Sequence, residues 1–249
     1  MPIEWKTTRI RDTIVHHWKN QNPHEILAAL REKPIESKGY TPPVYRHRMG
    51  KINLAVRELP DRTNDIPRAG RLFAILKNTQ QRRIPIVEIP VAIIKEPKTR
   101  DFKVVTIWKK GTINLDDWMR SRPPSEEIKL IGLTIAKRLA QLHATGYEHG
   151  HLKLDNFVIT EDGKNVQLVD YTHMSKIGEK STIPNRSSTN GEGEAIAYNV
   201  FGPIAEAATL HMPKLKRGTG ISEQRTLFNK LWNEYRKWYD HYSGIKEKG

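Results

Sequence analysis

The sequence predicts an α+β protein of two lobes, a small β-rich lobe followed by a larger helical one. Three observations predict it. Short apolar runs bounded by Gly, Pro, Asn and Asp recur through residues 44–108. After Gly111 the apolar spacing changes to the 3.6-residue period of helices, most clearly over 125–144 and 222–242. Within the helical part, residues 146–170 (GYEHGHLKLDNFVITEDGKNVQLVD) hold two short apolar runs separated by Glu161-Asp162-Gly163-Lys164, the pattern of a strand pair and its turn.

Taken in order, residues 8–20 (TRIRDTIVHHWKN) read as a helix. Residues 23–31 read as a second, with Asn22 as cap, Pro23 in the first turn and Ile26, Leu27 and Leu30 on one face. Residues 1–39 are thus expected to form a helical extension, closed by a breaker-rich linker from Pro34 to Pro43. His16 and His17 are neighbours in sequence and diverge on a helix, so packing or surface roles are expected of them and not metal binding.

The β-rich lobe is expected over 40–110. Val44–His47, the turn Met49-Gly50-Lys51 and Ile52–Leu59 read as a hairpin, with Asn53, Ala55 and Arg57 sharing one face. A polar loop at 61–67 leads to an amphipathic helix at 68–77. Pro85 and Pro90 break the apolar stretch 84–94 into irregular or edge strand, and 102–108 is a clear strand. Lys109-Lys110-Gly111 ends it and supplies a hinge.

The helical lobe is expected over 111–249. A short helix from Leu115 stops at Pro123 and Pro124; Ser125 is the expected cap of the long helix that follows, with Glu126 and Glu127 in its first turn and Gly146 at its end. Residues 173–193 are polar and loop-like, 194–210 are helical with a break near Gly202-Pro203, and 214–220 form a basic loop. The last helix, 222–242, carries an aromatic stripe that reads as core.

Composition narrows the function classes. Apolar residues make up 37% of the 249 residues and no run nears the roughly 18 of a membrane span. The N-terminal segment has no apolar core of a signal peptide. With no cysteine, disulfides and thiol chemistry are excluded, and a cytoplasmic location is expected. The net charge of +14 is uneven: residues 1–110 hold 23 Lys/Arg against 11 Asp/Glu, and residues 111–249 hold 19 against 17. The excess points to an anionic partner of the first lobe, such as RNA, an acidic membrane surface or a phosphorylated substrate.

The strand pair supplies the chemistry. Asn156 precedes the first strand and Asp170 closes the second, so antiparallel pairing sets an amide and a carboxylate side by side. Two such oxygen donors suit a hard cation such as magnesium. A cleft between two lobes is the usual place for the ligand.

The order of elements and the wording of this stretch resemble the protein-kinase-like fold. RLAQLHATGYEHGHLKLDNFVI is similar to the end of the large helix and the catalytic loop of kinases, and NVQLVDYTHMS to the strand and metal-binding turn that follow. The short first lobe looks most like the small atypical kinases: RIO-type kinases, the small kinase of the tRNA threonylcarbamoyl complex and the lipopolysaccharide-core kinases. The resemblance implies Mg2+ and ATP as cofactors, with Asn156 and Asp170 as metal ligands, Lys153 at the transferred phosphate and His149 holding the loop. It implies that Lys109, Lys110 and Gly111 meet the adenine as the hinge.

The sequence also departs from that pattern. His151 stands where kinases carry the catalytic Asp, Arg57 replaces the strand lysine, and Ala69 and Gly70 fall where its glutamate partner is due. The glycine-rich loop is missing, Asp170-Tyr171-Thr172 lacks the usual Gly, and Ala197 replaces a buried Asp. A neutral imidazole accepts a hydrogen bond and titrates near neutral pH, but it brings no negative charge. Arg57 keeps a positive charge for phosphate with a different donor geometry. The expected function is therefore a pseudokinase or very weak phosphotransferase that binds Mg-ATP and acts through a protein partner. The alternatives are an active atypical kinase using His151, and a basic RNA- or anionic-surface-binding module on a kinase scaffold.

Overall fold

The structure is a computed structural model. It describes residues 4–38, 44–59, 72, 74, 75, 77, 90–95, 102–108, 112–160, 166–169, 174–177, 196–210 and 220–244. The expected loop at 61–67, the strand residues 84–89, the hinge at 109–111, Asp170 and most of the two loops that flank 196–210 lie outside these residues. The chain divides into two compact units, the first ending and the second beginning around residues 110–111.

The first unit is built on an antiparallel sheet. Its elements are β1 (Trp5–Ile10), β2 (Thr13–Trp18), α1 (Pro23–Arg31), β3 (Glu36–Lys38), β4 (Val44–Met49), β5 (Ile52–Leu59), β6 (Ala92–Lys95) and β7 (Phe102–Ile107). The seven strands lie in the order β1-β2-β6-β7-β5-β4-β3. The expected hairpin at 44–59 is present, with Val44 opposite Arg57 and Met49 opposite Ile52, and Gly50 takes the positive φ its turn requires. Leu54 and Val56 point to the core with Val15, Ala92, Ile94 and Val105, and α1 covers them with Ile26 and Ala29. Asn22 caps α1 by accepting from the His24 amide.

Residues 8–20 correct the sequence reading. They form a β-hairpin and not a helix, so the described residues 4–38 contain three strands and one helix. Thr7, Thr8, Thr13, Ile14 and Val15 are β-branched and lose side-chain freedom in a helix. Ile10 lies opposite Thr13, and Arg11-Asp12 make the two-residue turn, with Arg11 at φ +54. The decisive partner is distant: β2 pairs along β6, about eighty residues on, with Val15 opposite Ile94. The histidines keep their expected packing roles. Thr7 Oγ1 meets His16 Nδ1 at 2.9 Å, Thr8 Oγ1 meets His17 Nε2 at 2.8 Å, and His17 Nδ1 donates to the Trp18 carbonyl.

Of the helix expected at 68–77, Leu72, Ala74, Ile75 and Lys77 are described; all four are helical, and Leu72 and Ile75 are buried.

The second unit contains β8 (Thr112–Asn114), α2 (Leu115–Arg120), α3 (Ser125–Ala144), β9 (Tyr147–Glu148), a 3-10 turn (Leu154–Asn156), β10 (Phe157–Thr160), β11 (Val166–Leu168), β12 (Ser175–Lys176), a π-helical turn (Ala197–Phe201), α4 (Gly202–Leu210) and α5 (Gly220–Ser243). Helix α3 is central, as its apolar content requires, and packs on α5 and α4. Gly132 marks the close approach: a Cβ there would lie 2.9 Å from Ile204 Cγ2 and 3.0 Å from Leu231 Cδ2. Ser125 is the first helical residue and not the cap, since Pro124 takes that place and the Ser125 hydroxyl is buried without a bond. The break expected near Gly202 is the π turn that precedes α4. The aromatic stripe is half-buried along the side of the core, and the buried residues of α5 are Leu227 and Leu231; Phe201 lies edge-on to Trp232, and Tyr235 stacks on Trp232 and donates toward or accepts from buried His143 at 2.8 Å.

Candidate functional site

The site grows from the strand pair in the second unit. Phe157 lies opposite Leu168 and Ile159 opposite Val166, and all four side chains are buried. This apolar pairing fixes the register, so Asn156 falls opposite Val169. The Val169 amide donates to the Asn156 carbonyl at 2.8 Å. On its other side β10 pairs with β8, a strand that the sequence reading missed, although Thr112 and Ile113 carry the β-branched signal for it.

Two side chains then tie the loop to the strands. His149 is 0% exposed, and its Nε2 donates to the Val169 carbonyl at 3.0 Å. The residue just before Asp170 is thereby held through both its amide and its carbonyl. Asn156 is 4% exposed, and its Nδ2 donates to the His151 carbonyl at 2.7 Å. A carbonyl can only accept, so the amide orientation follows from this bond. Oδ1, the remaining acceptor of the side chain, has no partner among the described residues. The Asn156 amide also donates to Lys153 O, closing the 3-10 turn. Gly150, at φ +71, gives the chain its reversal between the two histidines.

His151 is half-buried, and its backbone carbonyl receives the Asn156 Nδ2 bond. Lys153 is half-exposed and lies 3.6 Å from Asp155, a pair too open to water to hold either side chain firmly. Asn156, His149, His151 and Lys153 are therefore brought together in one loop. Asp170 follows Val169 directly but lies outside the described residues.

Three supports were missed from the sequence. Asn114 is buried and caps α2, accepting from the Asp117 amide at 2.7 Å and donating to its carboxylate at 2.5 Å. An Asn three residues before an Asp at the start of an apolar helix was the available signal. Arg138 of α3 donates to the Val166 carbonyl and so anchors β11 to the central helix. Burial lowers its pKa from the ordinary arginine value. His143 and Tyr235 join α3 to α5; neither this pair nor Arg138 is visible in local spacing.

No protein-family model matches the chain. An 80-residue stretch, 30% of this chain, is 32% identical to the B1 kinase of variola virus (isolate Human/India/Ind3/1967). The corresponding identity to the B1 kinase of vaccinia virus (strain Western Reserve) is 39% over 80 residues. In both cases the match spans 26% of the relative's length. The solved structure of PK-1, a kinase of the Cydia pomonella granulovirus, is similar over 86% of this chain and 82% of that one, with a TM-score of 0.57 and 14% identity.

The chain has a protein-kinase-like fold. On this kinase-like chain Arg57 belongs to the first unit, half-buried on β5 between Val44 of β4 and Val104 of β7. Diagonal to it on the same face, Arg46 lies over the Trp108 ring at 5.7 Å. Lys109, Lys110 and Gly111 lie outside the described residues. Among the described residues no group of three or more His, Asp or Glu is placed to hold a metal. No helix among the described residues is long and apolar enough to cross a membrane.

Proposed function

We propose that this kinase-like chain is a pseudokinase, or a very weak phosphotransferase, that holds Mg-ATP and acts through a bound partner. Asn156 Oδ1 and the Asp170 carboxylate are the metal ligands of this reading, a neutral and an anionic oxygen of the kind Mg2+ takes. Lys153 and Arg57 supply positive charge for the phosphates, and Lys109, Lys110 and Gly111 line the adenine.

The observation that carries the reading is the division of labour in the loop. Asn156 is tied back to His151 O at 2.7 Å with its oxygen still available. Position 151 itself offers an imidazole and no carboxylate. The loop thus keeps a group that binds and lacks the charge that orients an acceptor hydroxyl. Positioned general-base contributions amount to about 10² to 10⁴-fold in rate. The replacements at Arg57, Ala69 and Gly70 act in the same direction.

The second reading is an active atypical kinase in which His151 accepts the hydrogen bond of the acceptor. The retained Asn156 and Lys153 favour it, as do relatives whose names describe kinases.

Two measurements on one preparation separate these readings. Thermal unfolding with Mg-ATP at about 100 times its dissociation constant should report about 2.7 kcal/mol of stabilisation, and Asp170→Ala should abolish it. Radiolabelled ATP should give no transfer above background. Steady phosphate transfer that disappears in Asp170→Ala would establish the kinase reading. Absence of any Mg-ATP shift would remove the nucleotide from the function altogether.

A further inference from the structure

We infer that the outer edge of β1 is a docking edge for an acidic, extended segment of a partner protein, which adds itself as a further strand to the sheet. This rests on the partner half of the function proposed above and not on its nucleotide half.

β1 is terminal in the seven-stranded order, and among the described residues no strand pairs with its outer side. The hydrogen-bonding phase of the edge follows from the hairpin. The Lys19 amide donates to the Glu4 carbonyl at 2.7 Å, so the Glu4–Lys19 pair is a hydrogen-bonded one. Antiparallel pairs alternate, and a two-residue turn is closed by a hydrogen-bonded pair, here Ile10 and Thr13. Lys6, Thr8 and Ile10 therefore spend their backbone groups on β2. Trp5, Thr7 and Arg9 direct theirs outward. The amides and carbonyls of Thr7 and Arg9 are the polar row on which the inference stands.

Most exposed edges are short, bulged or interrupted by proline. This one runs six residues without either device, as WKTTRI, rich in strand-favouring types. Its protection is charge: Lys6 and Arg9 are exposed on opposite faces, with Arg11 at the turn. Of the nearby acids, Glu4 is already paired with Lys19 at 2.6 Å, and Asp12 sits in the turn. Such an edge repels a second copy of a chain with net charge +14 and attracts a strand with acidic side chains. Strand addition takes its affinity from the backbone row and its selectivity from the flanking side chains. Both parts are present here.

The test uses the full chain and a fluorescein-labelled nine-residue peptide alternating glutamate with valine. Saturable binding that weakens as salt rises is expected, and it should persist in Asp170→Ala without Mg-ATP. Residue-resolved hydrogen exchange should slow at the Thr7 and Arg9 amides by at least about tenfold, with no added protection at Lys6 and Thr8. Thr7→Pro removes the outward donor together with the exposed Thr7 Oγ1–His16 Nδ1 hydrogen bond, and proline is tolerated at such edge positions. It should weaken binding about tenfold relative to Thr7→Val, which loses the side-chain bond alone and keeps the amide, and Arg9→Glu should weaken it similarly. Should Thr7→Pro unfold, exchange on the unaltered chain decides the matter. No slowing at Thr7 and Arg9 overturns the inference. So does a decauridine RNA that displaces the peptide and binds Thr7→Pro and the unaltered chain equally, because the edge would then be one part of a diffuse cationic surface.

Discussion

Asn156→Asp is the sharpest perturbation of the loop, because it changes one group and almost no volume. In the folded chain Asn156 Nδ2 donates to the His151 carbonyl at 2.7 Å, in a position 4% exposed. An ionised carboxylate there sets two acceptors against each other. Losing the donor and leaving a buried carbonyl unsatisfied costs about 1–3 kcal/mol, with repulsion added to it. At about 2–4 °C per kcal/mol for a chain of this size, the melting temperature should fall by several degrees at pH 7. The loss has a direction in pH. A protonated carboxyl can donate to the carbonyl, so folding raises the pKa of the new group. Between the unfolded value near 4 and that raised value, the folded state holds more protons than the unfolded state, and stability falls as pH rises. Near pH 4 the variant should therefore approach the parent chain. The assay is thermal unfolding by circular dichroism at pH 4 and pH 7. Equal melting temperatures for variant and parent at pH 7 would refute the assigned amide orientation and the loop bond with it.

Three further outcomes follow from the packing. Burial chiefly, and the neighbouring His17 to a lesser extent, lower the His16 imidazole from its ordinary range. The unfolded chain then binds the extra proton first, so this contribution is complete above about pH 6.5 and is lost as pH falls through the depressed value; His16→Gln should flatten that acid-side slope in a melting-temperature series from pH 7 to 5. Leu231 is fully buried against Gly132, and Leu231→Ala should cost about 2–5 kcal/mol, read by urea unfolding. Arg11 sits at φ +54, where asparagine is better tolerated; Arg11→Asn should stabilise the chain by about 0.5–1 kcal/mol in the same assay.

Much of the fold was legible because the signals were local. α3 follows from a long apolar period ended by Gly146, α1 from Asn22 and Pro23, and the β4–β5 hairpin from its Gly50 turn. The β10–β11 pair was legible for the same reason, and with it the placing of Asn156. The misreading at 8–20 has an equally physical origin. A thirteen-residue stretch with mixed polarity satisfies a helix about as well as a hairpin, and the pairing energy that decides between them comes from β6. The supports at Asn114, Arg138 and His143 differ from one another in the same respect. The Asn114 cap lies three residues from its partner, whereas Arg138 finds its carbonyl 28 residues away and His143 its tyrosine 92 residues away.

The sequence by itself determined which residues stand at the ends of the two short strands, because alternation and turn chemistry act over a few residues. It also determined that position 151 lacks a carboxylate and that the positive charge gathers before residue 110. Tertiary structure decided what those residues do with their polar atoms. It spends the Asn156 donor on the His151 carbonyl and pins Val169 from both sides. It also turns the N-terminal residues into an edge strand with Thr7 and Arg9 facing outward. The Asn156 bond closes a loop of five residues, whereas Val169 is held by groups 13 and 20 residues away, and such a bond or a buried face exists only once the fold has brought both halves together.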